Sequence, residues 1–408
     1  MKPQQLYSQS AAMEPLLPTA AGKELDDLTS EVFLKAGSLS AQIPSPVVRT
    51  RAAELVQQMN SYYSNLIEGH KTLPRDIERA LRHDFSEDRE KRASQHLARA
   101  HIEVEKLMRS RLQNEPDLSI HSREFLCWLH QEFYQRLPEE LHWSSDRAGK
   151  RYKIHPGMLR AFEVVVGSHQ PPDHRALPRM LDHFDKSYSS KTIRFTGQLI
   201  ALAAAHHRLA WMHPFGDGNG RVTRLYSQAW IIKANVDALG LWTLSRGLAR
   251  QRKSYYAALS TADQRRWNDL DGRGNLSDRA LADFCVFILK TMLDQIEFMT
   301  ATFQFQNLSK RIDHYLHFGR AALPSRDRER MSRLLKAALQ EGQIGRGRVG
   351  EIVGLRGTAA RQVIRLCLRE GLLDSASEKG PLSLAFSSET LESYFPKLFQ
   401  DLPVDIDN

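Results

Sequence analysis

The chain has 408 residues, 41% of them hydrophobic and 26% charged, with a formal net charge of +9. That is enough apolar material for two or three globular domains with real cores, without low-complexity tracts or internal repeats. No apolar run reaches membrane-spanning length, the opening MKPQQLYSQSAAMEP lacks a signal-type apolar segment, and Cys127, Cys285 and Cys367 are too scattered for a disulfide framework or a zinc site, so a cytoplasmic protein is expected.

Along the chain, apolar residues recur at spacings of three and four over 45–68, 94–113 and 122–137, which predicts helices. Ser45 before Pro46 is a helix start, an N-cap followed by proline at the first helical position. At 160–172 the period changes. RAFEVVVGSHQPP holds the β-branched Val164, Val165 and Val166 and a Gly167-Ser168 turn signal, so a short strand or hairpin is expected. Helical periodicity returns over 197–212, 222–235 and 278–305.

Further on, MSRLLKAALQEG, RVGEIVG and a segment from Thr358 read as three helices, followed by a hairpin in LLDSASEKGPLSLAF, the element order of a winged helix. In the third helix Ala360, Val363, Ile364, Cys367 and Leu368 form the apolar stripe, leaving Arg361, Arg365 and Arg369 in a row on the exposed face. From Lys310 to Glu370, 14 Lys plus Arg stand against 6 Asp plus Glu. Such a basic face suits DNA, with arginines on phosphates or guanine; a module for dimerisation or for presenting targets would have the same element order.

The densest signal is HPFGDGNGR, from His213 to Arg221. Pro214 ends the preceding helix and a new one begins after Gly220, so the stretch is a tight loop leading into a helix N-terminus. Unpaired N–H groups and the helix dipole there suit an anion such as phosphate, and Gly218 and Gly220 allow close backbone approach. Arg221 and Arg224 share one helix face and reach phosphate oxygens. Asp217 is a hard oxygen ligand for Mg2+, and His213 is suited to taking a proton near neutral pH.

The run His213-Pro214-Phe215-Gly216-Asp217-Gly218-Asn219-Gly220-Arg221-Val222-Thr223-Arg224 resembles the complete motif HPFx(D/E)GNGRxxR of the Fic family. The resemblance implies a mainly α fold: a Fic-type helical core with a short hairpin flap, here joined to a C-terminal winged helix-turn-helix domain. It also implies transfer of AMP from ATP to a Tyr, Thr or Ser hydroxyl of a protein, releasing pyrophosphate. His213 would be the general base. Asp217 would hold Mg2+, and Gly216, Gly218, Asn219 and Gly220 would line the nucleotide loop. Arg221 and Arg224 would take the β- and γ-phosphates, and Phe215 would anchor the loop in the core. The related Doc-type kinases carry Lys where this chain has Gly220, which favours AMP transfer over phosphorylation. Val166, Gly167, Ser168 and His169 resemble the flap that pairs with an extended segment of the target. Tyr255 and Asp263 resemble the adenine side of the site.

Ser64-Asn65-Leu66-Ile67-Glu68-Gly69 resembles the family's inhibitory motif (S/T)xxxE(G/N). By that resemblance, Ser64, Glu68 and Gly69 belong to an inhibitory helix whose Glu68 pairs with Arg224 and blocks the γ-phosphate seat. The expected organisation is a helical region carrying this helix over 1–110, a catalytic core over 111–305 and a winged-helix-like domain over 306–408. The expected partners are a protein target at the flap, the chain itself as a target, DNA at the winged helix and a second copy in a homodimer. Two other readings stay open: a hydrolase of the same fold that removes AMP, and a nucleotide-sensing DNA-binding regulator.

Overall fold

A computed structural model describes residues 7–43, 45–145, 149–189, 193 and 196–400. The first half is built from α1 (Gly22–Ser40), α2 (Pro46–Ile67), α3 (Pro74–Leu81), α4 (Arg89–Asn114) and α5 (Arg123–Tyr134). A small hairpin of β1 (Trp143–Ser145) and β2 (Arg151–Lys153) follows, then α6 (Leu177–Tyr188), α7 (Gly197–Met212) and α8 (Asn219–Lys233). Next come α9 (Leu244–Arg250), α10 (Arg252–Ala262) and the long α11 (Asp278–Phe303).

The helix starts follow capping chemistry. Ser45, Asp88, Ser122 and Ser277 each accept a hydrogen bond from the N–H three residues on, at the heads of α2, α4, α5 and α11. The end of α2 is equally defined. His70 N–H reaches back to the Asn65 carbonyl and Gly69 N–H to Leu66, with Gly69 at φ +87°, a Schellman ending that leaves Glu68 on the tip of the rod.

Helix α7 is apolar almost all round and is correspondingly buried, packed against α8 and α11. Its buried histidines and arginine are paired with neighbours: His206 with Ser227 and Tyr255, His207 with Asp263, Arg208 with the Pro15 carbonyl; the buried Trp211 indole N–H has no hydrogen-bond partner among the described residues. Around it, α1 lies along α11, and α2 lies against α4 and α9. The first hundred residues therefore share a core with the later helices.

The expected hairpin at 160–172 is reduced to a tight turn, in which Val166 and His169 exchange N–H···O bonds of 2.9 and 2.8 Å about Gly167 at φ +59°. Pro171 and Pro172 have no N–H to extend a ladder, which limits pairing on that side. The regular hairpin of this region is the earlier β1–β2 pair.

Beyond α11, α12 (Phe305–His314) leads to α13 (Ser325–Glu341), α14 (Val349–Val353), α15 (Gly357–Arg369), the two-residue strands β3 (Leu373–Asp374) and β4 (Ser383–Leu384), and α16 (Leu391–Tyr394). Strands β3 and β4 pair antiparallel, and Ile344 adds a bridge to Leu382. Three helices and a hairpin follow in the order expected. In α15, Ala360, Val363, Ile364 and Cys367 are buried and Leu368 partly so, while Arg361, Arg365 and Arg369 are exposed.

Candidate active site

The loop between α7 and α8 is held from both sides. His213 closes α7 in the left-handed region, at φ 46° and ψ 61°, which turns the chain sharply out of the helix. Asn219 then clasps the loop: its side-chain amide donates to the Phe215 carbonyl at 2.8 Å and its oxygen accepts from Phe215 N–H at 2.9 Å. Phe215 is fully buried and stacked on His130, ring centroids 4.2 Å apart.

The loop glycines leave room for neighbouring side chains, and at Gly218 the left-handed backbone itself favours glycine. A Cβ on Gly216 would lie 2.7 Å from Ile154, and one on Gly218, at φ +76°, would lie 2.8 Å from the Tyr134 ring. A Cβ on Gly220 would run into the Glu68 carboxylate. Gly218 caps α8, so the helix's first N–H groups open onto the loop.

Arg160 binds the loop to the segment that leads into the turn at 166–169. Its buried guanidinium donates to the carbonyls of His213 (2.9 Å), Phe162 (3.0 Å) and Pro172, while its own N–H reaches Pro214 O at 2.9 Å. Burial and this neighbouring cation push the His213 imidazole down to about 4. The ring is therefore neutral at pH 7, the form in which it accepts a proton. Asp217 accepts from the Tyr134 hydroxyl at 2.9 Å. Its carboxylate is an oriented hard oxygen donor beside the helix N-terminus, a fit to Mg2+ on a bound phosphate chain.

The inhibitory-motif residues arrive from α2. Arg224 donates through Nε to Ser64 Oγ (2.9 Å), and through one terminal nitrogen to Ser64 O (2.9 Å) and Glu68 Oε1 (2.6 Å). Arg221 donates to Asn65 Oδ1 at 3.0 Å and lies over the Phe133 ring. Burial works to raise the Glu68 carboxyl, but Arg224 and Arg221 outweigh it and hold it below the ordinary carboxylate range. Both arginines of the motif are thus engaged by the end of one helix.

The adenine-side residues lie differently from one another. Tyr255 is buried, with its hydroxyl on His206 Nε2 at 2.8 Å, so its ring belongs to the core. Tyr256, next to it, is 43% exposed and donates to the Ile67 carbonyl at 3.2 Å, at the tip of α2. Asp263 is held by His207 at 3.1 Å and lies 3.8 Å from His169, so it braces the turn at 166–169. His169 in turn bonds the Trp211 carbonyl at 2.8 Å. Val165 and Val166 are 56% and 40% exposed, two apolar residues on the surface at this turn. Arg160 and Tyr134 carried no local sequence signal, and Tyr256 was marked only as the neighbour of Tyr255. Each acts through a partner more than fifty residues away.

A sequence profile of the Fic/DOC family matches residues 119–230. The protein adenylyltransferase Fic of Aedes aegypti is 31% identical over 111 residues, 27% of this chain and 21% of that protein. That of Nematostella vectensis is 31% identical over 86 residues, 21% of this chain and 20% of that protein. The chain thus spans about a fifth of the length of these curated relatives. In three dimensions, a Fic family protein from Desulfovibrio desulfuricans G20 superimposes with a TM-score of 0.53 at 16% identity, covering 91% of this chain and 98% of that one. The loop motif and the profile match agree on a Fic/DOC-family domain at residues 119–230, and the fold around it is similar to that of a solved Fic family protein.

Proposed function

We propose that this protein transfers AMP from ATP to a hydroxyl side chain of a protein, and that it rests in an inhibited state. The observation that supports this most directly is the 2.6 Å pair between Glu68 and Arg224 beside an intact His213–Arg224 loop. His213 takes the proton from the incoming hydroxyl, whose oxygen bonds to the α-phosphorus as the bond to the β-phosphate oxygen breaks and pyrophosphate leaves. Negative charge from a bound triphosphate raises the imidazole from about 4 toward neutrality, making it a stronger base when substrate is present. Arg221 and Arg224 neutralise the phosphate chain, and the N–H groups at the head of α8 take the oxygens near the reacting phosphorus. Mg2+, held by Asp217, would supply further charge neutralisation.

While Glu68 occupies Arg224, the γ-phosphate has no partner and the α-phosphate is not aligned for attack. The exposed turn at 166–169 with its two outward valines supports docking of an extended target segment. A second reading is supported by the same Glu68: a carboxylate kept ionised beside the loop is also placed to direct water onto an AMP ester, which would remove the modification by hydrolysis and release AMP. Incubation with α-labelled and γ-labelled ATP separates the cases. Label on protein from the α position alone supports AMP transfer; label from the γ position overturns it in favour of phosphorylation. Release of AMP from a previously labelled target supports the hydrolase.

A further inference from the structure

Glu68 stands on the tip of α2, so whatever holds α2 in place also holds the carboxylate against Arg224. The chain beyond residue 324 grips that helix at both ends. At the N-terminal end, Gly342 closes α13 against the Ser45 cap: a Cβ there would collide with Ser45 Oγ and lie 3.2 Å from Val47. One turn on, Arg51 forms a two-pronged ion pair with Asp374 of β3, both N···O distances 2.6 Å. In the last turn, the Tyr63 hydroxyl donates to the Leu398 carbonyl at 3.1 Å and accepts from Gln400 N–H at 2.7 Å. Tyr62 donates to the Gln400 carbonyl at 3.3 Å, and its ring meets Phe399 edge-on. Arg246 fixes the same segment from the other side, donating to the Lys397 carbonyl at 2.9 Å.

Tyr63 directly precedes Ser64, whose hydroxyl and carbonyl both accept from Arg224. Helix α2 is one rod from Pro46 to Ile67 with no proline inside it, so a shift at either clamp carries to the tip. The Arg224–Glu68 bond is directional and short, and a displacement of about 1 Å removes it from hydrogen-bond range. We propose that the C-terminal module is a brake on the catalytic core. Through Asp374 at one end of α2 and the segment 397–400 at the other, it sets how firmly Glu68 covers Arg224. Tyr63 and Arg51 are the positioning residues of this brake. The inference rests on the reading of Glu68 as an inhibitor of AMP transfer.

The two clamps differ in strength. Tyr63 is fully buried and its hydroxyl has two backbone partners, whereas the Arg51–Asp374 pair is partly exposed, 28% and 50%, and such pairs contribute little singly.

The test measures initial rates of protein labelling from α-labelled ATP with full-length parent, Glu68→Gly, Tyr63→Phe, Arg51→Asp, the charge swap Arg51→Asp with Asp374→Arg, and Tyr63→Phe combined with Glu68→Gly. Tyr63→Phe is expected to raise the rate about three- to tenfold, the size of coupling changed by residues that touch neither ligand. Arg51→Asp is expected to raise it about twofold, and the swap to return it to the parental rate. Tyr63→Phe is expected to add nothing in the Glu68→Gly background, because it acts only through that carboxylate. Recovery by the swap and the absence of addition distinguish a brake from general loosening. If Glu68→Gly labels strongly while Tyr63→Phe and Arg51→Asp label like the parent, the brake is overturned. An equal rise from Tyr63→Phe in both backgrounds also overturns it. If Glu68→Gly itself labels no better than the parent, the underlying reading of Glu68 fails instead.

Discussion

His213 and Asn219 divide the work of the loop between chemistry and shape. His213 acts on the incoming hydroxyl rather than on the phosphates, so His213→Ala is expected to abolish transfer while leaving ATP affinity within about threefold, read by single-turnover labelling and by nucleotide titration. Because burial and Arg160 hold the imidazole at about 4 in the free enzyme, kcat/KM should not lose this base between pH 8 and 6, and should fall on its account only as pH approaches about 4. A full loss already at pH 6.5 would show that the ring is not held in its neutral form. The Asn219 side chain is spent within the loop, which it closes with two buried hydrogen bonds. Asn219→Ala should therefore leave Phe215 N–H and C=O unpaired and cost about 1–3 kcal/mol in thermal or urea unfolding, together with most of the transfer activity. Stability equal to the parent would mean that water replaces the clasp.

Helices α2 and α8 meet through Ser64 and Glu68 on Arg224, and in the proposed function this contact sets whether the site is open. Glu68→Gly removes the carboxylate without altering the loop, and it is expected to raise labelling from α-labelled ATP by one to two orders of magnitude, since each ~1.4 kcal/mol of lost inhibitory bias gives about tenfold. Adding Arg224→Ala should cancel the gain, because the freed arginine is what the first substitution supplies. A double variant that keeps the gain would show that Glu68 restrains something other than Arg224. Helix α7 plays the opposite part: buried on nearly every side, with its histidines paired, it is the fixed floor from which His213 emerges.

The distribution of charge and of buried imidazoles governs how the protein as a body meets its surroundings. Among the described residues, the exposed row Arg361, Arg365 and Arg369 lies on α15 facing away from its apolar stripe. If that face takes DNA, binding weakens steeply with salt, and replacing the three by Ala should lower the log–log salt slope by up to about 3. Mobility shifts at several salt concentrations read this, and identical slopes would assign the face to protein contacts. Burial also pushes His101 and His206 down to about 3, and His121 and His130 to about 4. Their values are ordinary in the unfolded chain, which therefore binds more protons between pH 6.5 and those lower values. Stability is fully present above about pH 6.5 and is lost as pH falls toward 4, visible as a declining melting temperature. A melting temperature constant from pH 7 to 4.5 would contradict the burial of these rings.

Much of the site was legible because its parts are consecutive. The loop from His213 to Arg224 works through its own backbone, through Gly218, Asn219 and the head of α8, and local backbone chemistry is written in local residue types. Helices announced themselves for the same reason: period, N-cap and terminating glycine all act within a few residues, as at Ser45 and Gly69. Partners far apart in the chain were not legible. An apolar period says which face is buried, not against what. Only folding brings Arg160 to His213, Tyr134 to Asp217 and Tyr63 to Leu398. It also sends Tyr255 into the core and turns Asp263 to brace the turn at 166–169. The chemistry of the loop was in the order of its residues; the state of the site, with Arg224 covered by Glu68 and α2 gripped at both ends, came from packing among elements that the chain order leaves distant.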